Sequence, residues 1–110
     1  MNDLLRTVYD VMDQKQAEDL VVIDFRGYSP FLDYFVIGSA RNARMARAIL
    51  EAVEEKCDEL GVTINSKDYS GESKWYLLDA GTLVCHVFYD GERDKYDLEG
   101  LWKDLPTVDM

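Results

Sequence analysis

The segment WYLLDAGTLVCHVFYD, residues 75–90, restricts the fold most, because it is apolar on both sides of a predicted sheet. Two apolar stretches meet at Ala80-Gly81, and this spacing predicts a two-residue β-hairpin in which Trp75 lies opposite His86. Strand alternation then places Trp75, Leu77, Asp79, Val84, His86 and Phe88 on one face, and Tyr76, Leu78, Leu83, Cys85, Val87 and Tyr89 on the other. Either helices cover both faces, or another protein covers one of them.

The rest of the chain alternates helical and strand patterns. The segment SARNARMARAILEAVEEKCDELG keeps a 3.6-residue apolar spacing from Ala46 to Leu60 before Gly61, which predicts a long amphipathic helix. A helix near the N-terminus, with Asn2 as its N-cap, and a short helix in YDLEGLWKDLP are also predicted, the latter with Leu98, Leu101, Trp102 and Leu105 on one side. Strands are predicted at Leu20 to Ile23, Asp33 to Gly38 and Val62 to Asn65, with loops at 66–74 and in DGERDK.

This order, α-β-β-α-β-β-β-α within 110 residues, predicts one α/β domain over residues 1–110. We expect a mixed sheet of about five strands with helices packed on it.

The charge of the chain favours a protein partner. Its formal net charge is −10, which repels the phosphate backbone of nucleic acids and favours a basic protein instead. No apolar run approaches the ~20 residues of a membrane span, and Cys57 and Cys85 are expected to be buried free thiols. These features predict a cytoplasmic protein.

Catalysis by Cys85 and His86 is disfavoured, since neighbours on a strand point to opposite faces. One histidine and two dispersed cysteines also give no zinc-ligand spacing, so no metal or cofactor is predicted. The more ordinary interpretation is a packed thiol beside a hydrogen-bonded imidazole.

A second enzymatic interpretation starts from VIGSARN, in which Gly38-Ser39 after a strand and before a helix is similar to the start of a nucleotidyltransferase signature. Asp24 and Asp33, at neighbouring strand ends, could then form an acid and base pair. No Asp-x-Asp strand follows to bind magnesium, and strand-end aspartates also cap turns. Arg41, Arg44 and Arg47 are expected to pair with surface acids, Arg47 with Glu51 for example.

Three segments together resemble the ribosomal silencing factor family, also called the Iojap-related family. They are Asp33-Tyr34-Phe35-Val36-Ile37, the hairpin with Asp79, Gly81 and His86, and Tyr96-x-Leu98-Glu99-x-Leu101-Trp102. The chain departs from the usual family pattern at Thr82, at Gly38-Ser39 and at Asp68-Tyr69.

The resemblance implies a nucleotidyltransferase-like fold that lacks the catalytic acids, and a protein that is not an enzyme. It implies a translational repressor that binds the large ribosomal subunit through its fourteenth protein and blocks joining of the small subunit when nutrients are scarce. We expect the partner-binding residues to be Trp75, Leu77, Asp79, His86, Phe88, Tyr96 and Trp102. Two alternatives remain: a nucleotidyltransferase-like enzyme, and a module that pairs with itself through the same face, so that the free protein is a homodimer.

Overall fold

The computed structural model describes residues 3–69 and 73–110. The helices and strands in these ranges are α1 (Asp3–Gln14), β1 (Glu18–Asp24), β2 (Tyr34–Ala40), α2 (Ala43–Glu59), β3 (Ser66–Asp68), β4 (Trp75–Asp79), β5 (Leu83–Tyr89), α3 (Glu92–Tyr96) and α4 (Leu98–Leu101). The single α/β unit with a mixed sheet is confirmed. The predicted N-cap, Asn2, lies outside the described residues.

The sheet has the strand order β1-β2-β5-β4-β3 across the described residues. Its central pair, β2 and β5, is parallel, and the other neighbours are antiparallel. The outer edge of β1 is covered by the C-terminal segment, where Thr107 bridges Ile23 and the amide of Val108 donates to the carbonyl of Val22. That cover satisfies backbone groups that would otherwise form an open sheet edge.

Helix α2 has defined ends that explain its boundaries. The side-chain oxygen of Asn42 accepts from the amide of Met45 at 2.8 Å, which is a standard N-cap bond. At the other end Gly61 has φ +73°, and the amide of Val62 donates to the carbonyl of Cys57. This Schellman motif needs a left-handed residue at Gly61, so the predicted helix end is confirmed.

Helices α1 and α2 cover one face of the sheet, which we call the helix face. Apolar side chains one or two turns apart on the helices, such as Leu5, Val8 and Val53, pack against alternate strand residues such as Val36 and Cys85. All of these side chains are completely buried. The main core therefore lies between this face and the two long helices.

The β4–β5 hairpin differs from the prediction in register. Trp75 pairs with Phe88, Leu77 with His86 and Asp79 with Val84, so the two-residue turn at Ala80-Gly81 is wrong. A longer turn forms because the Asp79 carboxylate accepts from the amide of Gly81 at 2.8 Å, and Gly81 has φ +90°. The shift is two residues, an even number, so every side chain keeps its predicted face.

Two other predicted elements are misplaced. The third strand is Ser66–Asp68 rather than Val62 to Asn65, so the predicted loop over 66–74 begins with a strand. The predicted C-terminal helix is shortened to α4, because Asp97 adopts a left-handed conformation with φ 49° and its side chain caps α4 at Gly100, and the separate helix α3 lies where the DGERDK loop was predicted. Leu98 is buried there, but Leu101 is exposed and does not share its side.

Candidate protein-binding face

The side of the sheet opposite α1 and α2 is the second face, and it is only partly covered. It carries alternate residues of the four longer strands, namely Val21 and Ile23 of β1, Phe35 and Ile37 of β2, Val84, His86 and Phe88 of β5, and Trp75, Leu77 and Asp79 of β4. A small cluster with Leu98, Trp102 and Leu105 covers its β1 side. On the hairpin side Trp75, Leu77 and Val84 stay partly open to solvent.

Trp75 and His86 are joined by a hydrogen bond on this face. The indole N–H of Trp75 donates to Nδ1 of His86 at 3.0 Å. The imidazole is only 3% exposed, and burial lowers the pKa of His86 to about 4. A neutral ring with its proton on Nε2 is therefore the form that this bond requires.

Aromatic rings continue in both directions from this pair and form what we call the aromatic row. Successive ring centroids are 4.4 to 5.8 Å apart, within the range of favourable ring contacts. The row runs in the order Tyr28, Trp102, Phe25, Phe35, His86, Trp75 and Tyr96. It forms a continuous line of aromatic rings that crosses the second face.

The predicted binding residues fall into two groups by burial. Trp75, Leu77, Asp79 and Trp102 are partly exposed, and Tyr96 is 49% exposed, so these five can touch another molecule. His86 and Phe88 are buried, with Phe88 stacked under Trp75 at 5.1 Å between ring centroids. Buried side chains can orient the exposed ones, but they cannot themselves contact a rigid partner.

Sequence reasoning missed Phe35 and Tyr28 as members of this surface. Phe35 lies on the second face through simple alternation along β2, a signal that was available in the DYFVIG pattern. Tyr28 is 62% exposed and its ring contacts Trp102 across the sheet edge. That contact depends on the position of the C-terminal segment, which no local pattern encodes.

The thiols are placed as predicted. Cys85 points to the helix face and His86 to the second face, so the two cannot act as nucleophile and base. Burial raises the pKa of both Cys57 and Cys85, which keeps them as thiols at neutral pH. Both are free cysteines, and neither is in a setting that activates a thiolate.

The Gly38-Ser39 interpretation does not fit the structure. Both residues lie inside β2 and not in a loop at the start of a helix, and a Cβ on Gly38 would come within 2.9 Å of the Leu20 side chain. The hydroxyl of Ser39 accepts a hydrogen bond from Arg93 at 2.9 Å. Close packing explains this glycine without a phosphate, so the predicted resemblance to a nucleotide loop is wrong here.

Asp24 and Asp33, the residues of the other catalytic alternative, have structural roles. The Arg26 guanidinium binds the carboxylate of Asp24 at 2.8 Å and lowers the pKa of that carboxyl. The backbone of Asp33 bonds to Phe25 and to Thr82, which closes the loop between β1 and β2. Within residues 3–69 and 73–110, no three His, Cys, Asp or Glu side chains converge as metal ligands do.

The arginines at the start of α2 behave as surface residues. Arg47 forms the predicted ion pair with Glu51 at 3.5 Å, and both side chains are more than half exposed. Arg41 reaches Gln16 instead of an acid. Exposed pairs of this kind contribute little to stability.

None of the helices in the described ranges is long and apolar enough for a membrane span.

The chain is similar to known proteins over its whole length. Residues 1–110 match the model of the family described as ribosomal silencing factor during starvation. The chain is 35% identical over 107 residues to the ribosomal silencing factor of Bacillus subtilis, covering 97% of this chain and 91% of that protein. For the corresponding protein of Halalkalibacterium halodurans the identity is 33%, covering 98% and 92%. A crystal structure of a Bacillus halodurans protein superposes with a TM-score of 0.85 at 32% identity, covering 98% of each chain.

Proposed function

Because the chain belongs to the ribosomal silencing factor family, we propose that it represses translation by binding the large ribosomal subunit and sterically blocking the small subunit. The observation that carries this proposal is the second face, an ordered apolar surface with only partial cover. Surfaces of this kind, with large aromatic side chains at the centre and polar groups at the rim, mark protein interfaces. The cellular site of action is then the cytoplasm.

The proposed partner is the fourteenth protein of the large subunit, as the family resemblance implies. A formal charge of −10 complements a basic ribosomal protein, and such complementarity raises the association rate more than the affinity. Trp75, Leu77 and Tyr96 make the apolar contacts, Asp79 and Trp102 lie at the rim, and His86 and Phe88 support Trp75 from below. The same face would bury itself in a homodimer when the protein is free.

No bond chemistry is needed for this function. A protein bound where the two subunits meet prevents their joining through excluded volume, and the buried contacts set its lifetime on the ribosome. Calorimetry with magnesium and nucleoside triphosphates tests the enzymatic alternative. We expect no saturable heat, and a clear binding isotherm would restore that alternative.

The central test is co-sedimentation with purified large subunits, followed by addition of small subunits. The wild-type chain should sediment with large subunits and reduce the yield of joined ribosomes. Absence of binding, or binding without any effect on joining, would contradict the proposed function. Cross-linking from Trp75 replaced by a photoreactive residue should label the fourteenth protein, and labelling of a different protein would reassign the partner.

A further inference from the structure

Large exposed apolar side chains cluster around the second face. Among the described residues there are five of them, and four come from the β1–β2 loop or from the segment after β5, which both border that face. They are Tyr28, Phe31, Tyr96 and Leu101. The fifth, Leu60, ends α2 on the other side of the sheet. Phe31 is the most exposed of all, at 84%.

The loop that carries Phe31 is already ordered without a partner. The hydroxyl of Ser29 accepts from the amides of Phe31 and Leu32 at 3.2 and 3.1 Å. The carbonyl of Phe25 accepts from two amides of the loop, and its own amide donates to the carbonyl of Asp33 at 2.8 Å. A loop closed at its base and braced inside loses little conformational freedom on binding.

The same loop is continuous with the second face. The carbonyl of Thr82, in the β4–β5 turn, accepts from the amides of Asp33 and Tyr34 at 2.7 and 3.1 Å. Leu32, next to Phe31, packs in the cluster that lies on the second face. Phe31 therefore lies at the same end of the sheet as Asp79 and the β4–β5 turn.

We propose that Phe31 is a second anchor of the docking face, and that its ring inserts into an apolar pocket on the same basic large-subunit protein. This inference rests on the proposed function and adds a specific residue to it. A phenylalanine that is 84% exposed on a braced loop has no role in the core, so its apolar area is free for a partner. Together with Trp75 it would fix the orientation of the bound protein at two points instead of one.

The test compares Phe31→Ala with Leu60→Ala, which removes an exposed apolar side chain from the opposite side. Binding to purified large subunits is measured by co-sedimentation over a concentration series. We expect Phe31→Ala to weaken binding on the order of 30-fold, the loss typical of an interface hot spot, and Leu60→Ala to change it less than twofold. Both variants should unfold at the wild-type denaturant concentration, because neither side chain is buried.

The possible failures are distinguishable. If the wild-type chain does not bind large subunits, the proposed function is overturned and this inference falls with it. If the wild type binds and Phe31→Ala binds equally well, only the Phe31 anchor is overturned. If Phe31→Ala abolishes a self-dimer in sedimentation equilibrium and leaves subunit binding unchanged, the loop contacts a second copy and the inference is likewise overturned.

Discussion

The indole N–H of Trp75 donates to Nδ1 of His86, so a partly exposed ring of the second face is held by a buried imidazole. This bond exists only while Nδ1 is unprotonated. The other ring nitrogen, Nε2, is buried and has no hydrogen-bond partner among the described residues. The pair thus couples the orientation of an exposed side chain to the protonation state of a group beneath it.

Acid should destabilise the protein through His86. Burial lowers its pKa from the ordinary 6.5 to about 4, so the unfolded chain takes up a proton at a higher pH than the folded chain does. The contribution of His86 to the free energy of unfolding is complete above pH 6.5. It is lost as pH falls from 6.5 to 4, and the free energy of unfolding then falls by about 3 kcal/mol at most. Urea unfolding of the wild type at several pH values measures this loss.

The control for that experiment is His86→Phe, which removes the titrating group and keeps an aromatic ring. Its free energy of unfolding should change less over the same pH window. The carboxyls of Asp24 and Glu54, whose pKa values are lowered by Arg26 and Lys67, remain in both proteins and cancel in the comparison. Equal pH slopes in the two proteins would assign the acid sensitivity to groups other than His86.

Trp75→Phe should destabilise the fold mainly because it leaves a buried polar atom of His86 without a hydrogen bond. The loss of buried apolar area should matter less. The smaller ring can still stack on Phe88, but Nδ1 of His86 loses its donor in a buried site. An unsatisfied buried acceptor costs about 1 to 3 kcal/mol. Trp102→Phe is the matched control, because the contacts of that indole are with the rings of Phe25 and Tyr28. Chemical unfolding should show the larger loss for Trp75→Phe, and equal losses would argue against the hydrogen bond.

Arg93 should be needed to hold the C-terminal segment over the β1 side of the second face. Its guanidinium binds Glu99 at 3.0 Å, the hydroxyl of Ser39 at 2.9 Å and the carbonyl of Asp19 at 2.6 Å, so it ties the C-terminal segment to β1 and β2. Arg93→Met keeps the aliphatic stem and removes these charge-assisted bonds, at a cost of about 1.5 to 3 kcal/mol.

Hydrogen exchange measures this effect locally. Amides of residues 98–105 should exchange faster in Arg93→Met, because Leu98, Trp102 and Leu105 lose the tie that holds them on the sheet. Lys95→Met is the matched control on the same helix, since Lys95 is exposed and forms a weaker pair with Glu92 at 3.8 Å. Unchanged protection in Arg93→Met would show that apolar packing alone holds the segment.

The residues that sequence reasoning placed well are those governed by local periodicity. Alternation along the strand assigned Cys85 and His86 to opposite faces. This assignment is correct although the predicted hairpin register was wrong, because the register error was an even number of residues. Strand Ser66–Asp68 was missed because it is polar and exposed throughout, and only backbone pairing with β4 makes it a strand. Helix α3 was missed because ERDKY has no apolar stripe.

For the hairpin residues of the candidate site, the sequence predicts which face each side chain lies on but not how exposed it is. The hairpin pattern selects Trp75 and Phe88 equally, yet Trp75 is partly exposed and Phe88 is buried beneath it. That difference depends on where Tyr96 and the C-terminal segment pack. The spacing of residues within one segment does not encode its contacts with distant parts of the chain. Phe31 was missed for the opposite reason, since exposure of an apolar loop residue has no local signature.

Asp79 has two separable roles, and paired substitutions should divide them. Its carboxylate accepts from the Gly81 amide and so shapes the hairpin turn, while its charge lies at the rim of the proposed docking face. Asp79→Asn retains an acceptor oxygen and should leave the free energy of unfolding nearly unchanged. Asp79→Ala removes it and should cost about 1 kcal/mol, measured by chemical unfolding.

The charge is tested by the association rate of Asp79→Asn with large subunits at low salt. If the partner is basic, loss of this carboxylate should slow association by a larger factor than Asp58→Asn does, because Asp58 is exposed on α2 on the other side of the sheet. Added salt should reduce the difference, since screening weakens steering between exposed charges. Equal rates for the two variants would mean that Asp79 serves the turn alone, and the rim of the interface would then lie elsewhere on the second face.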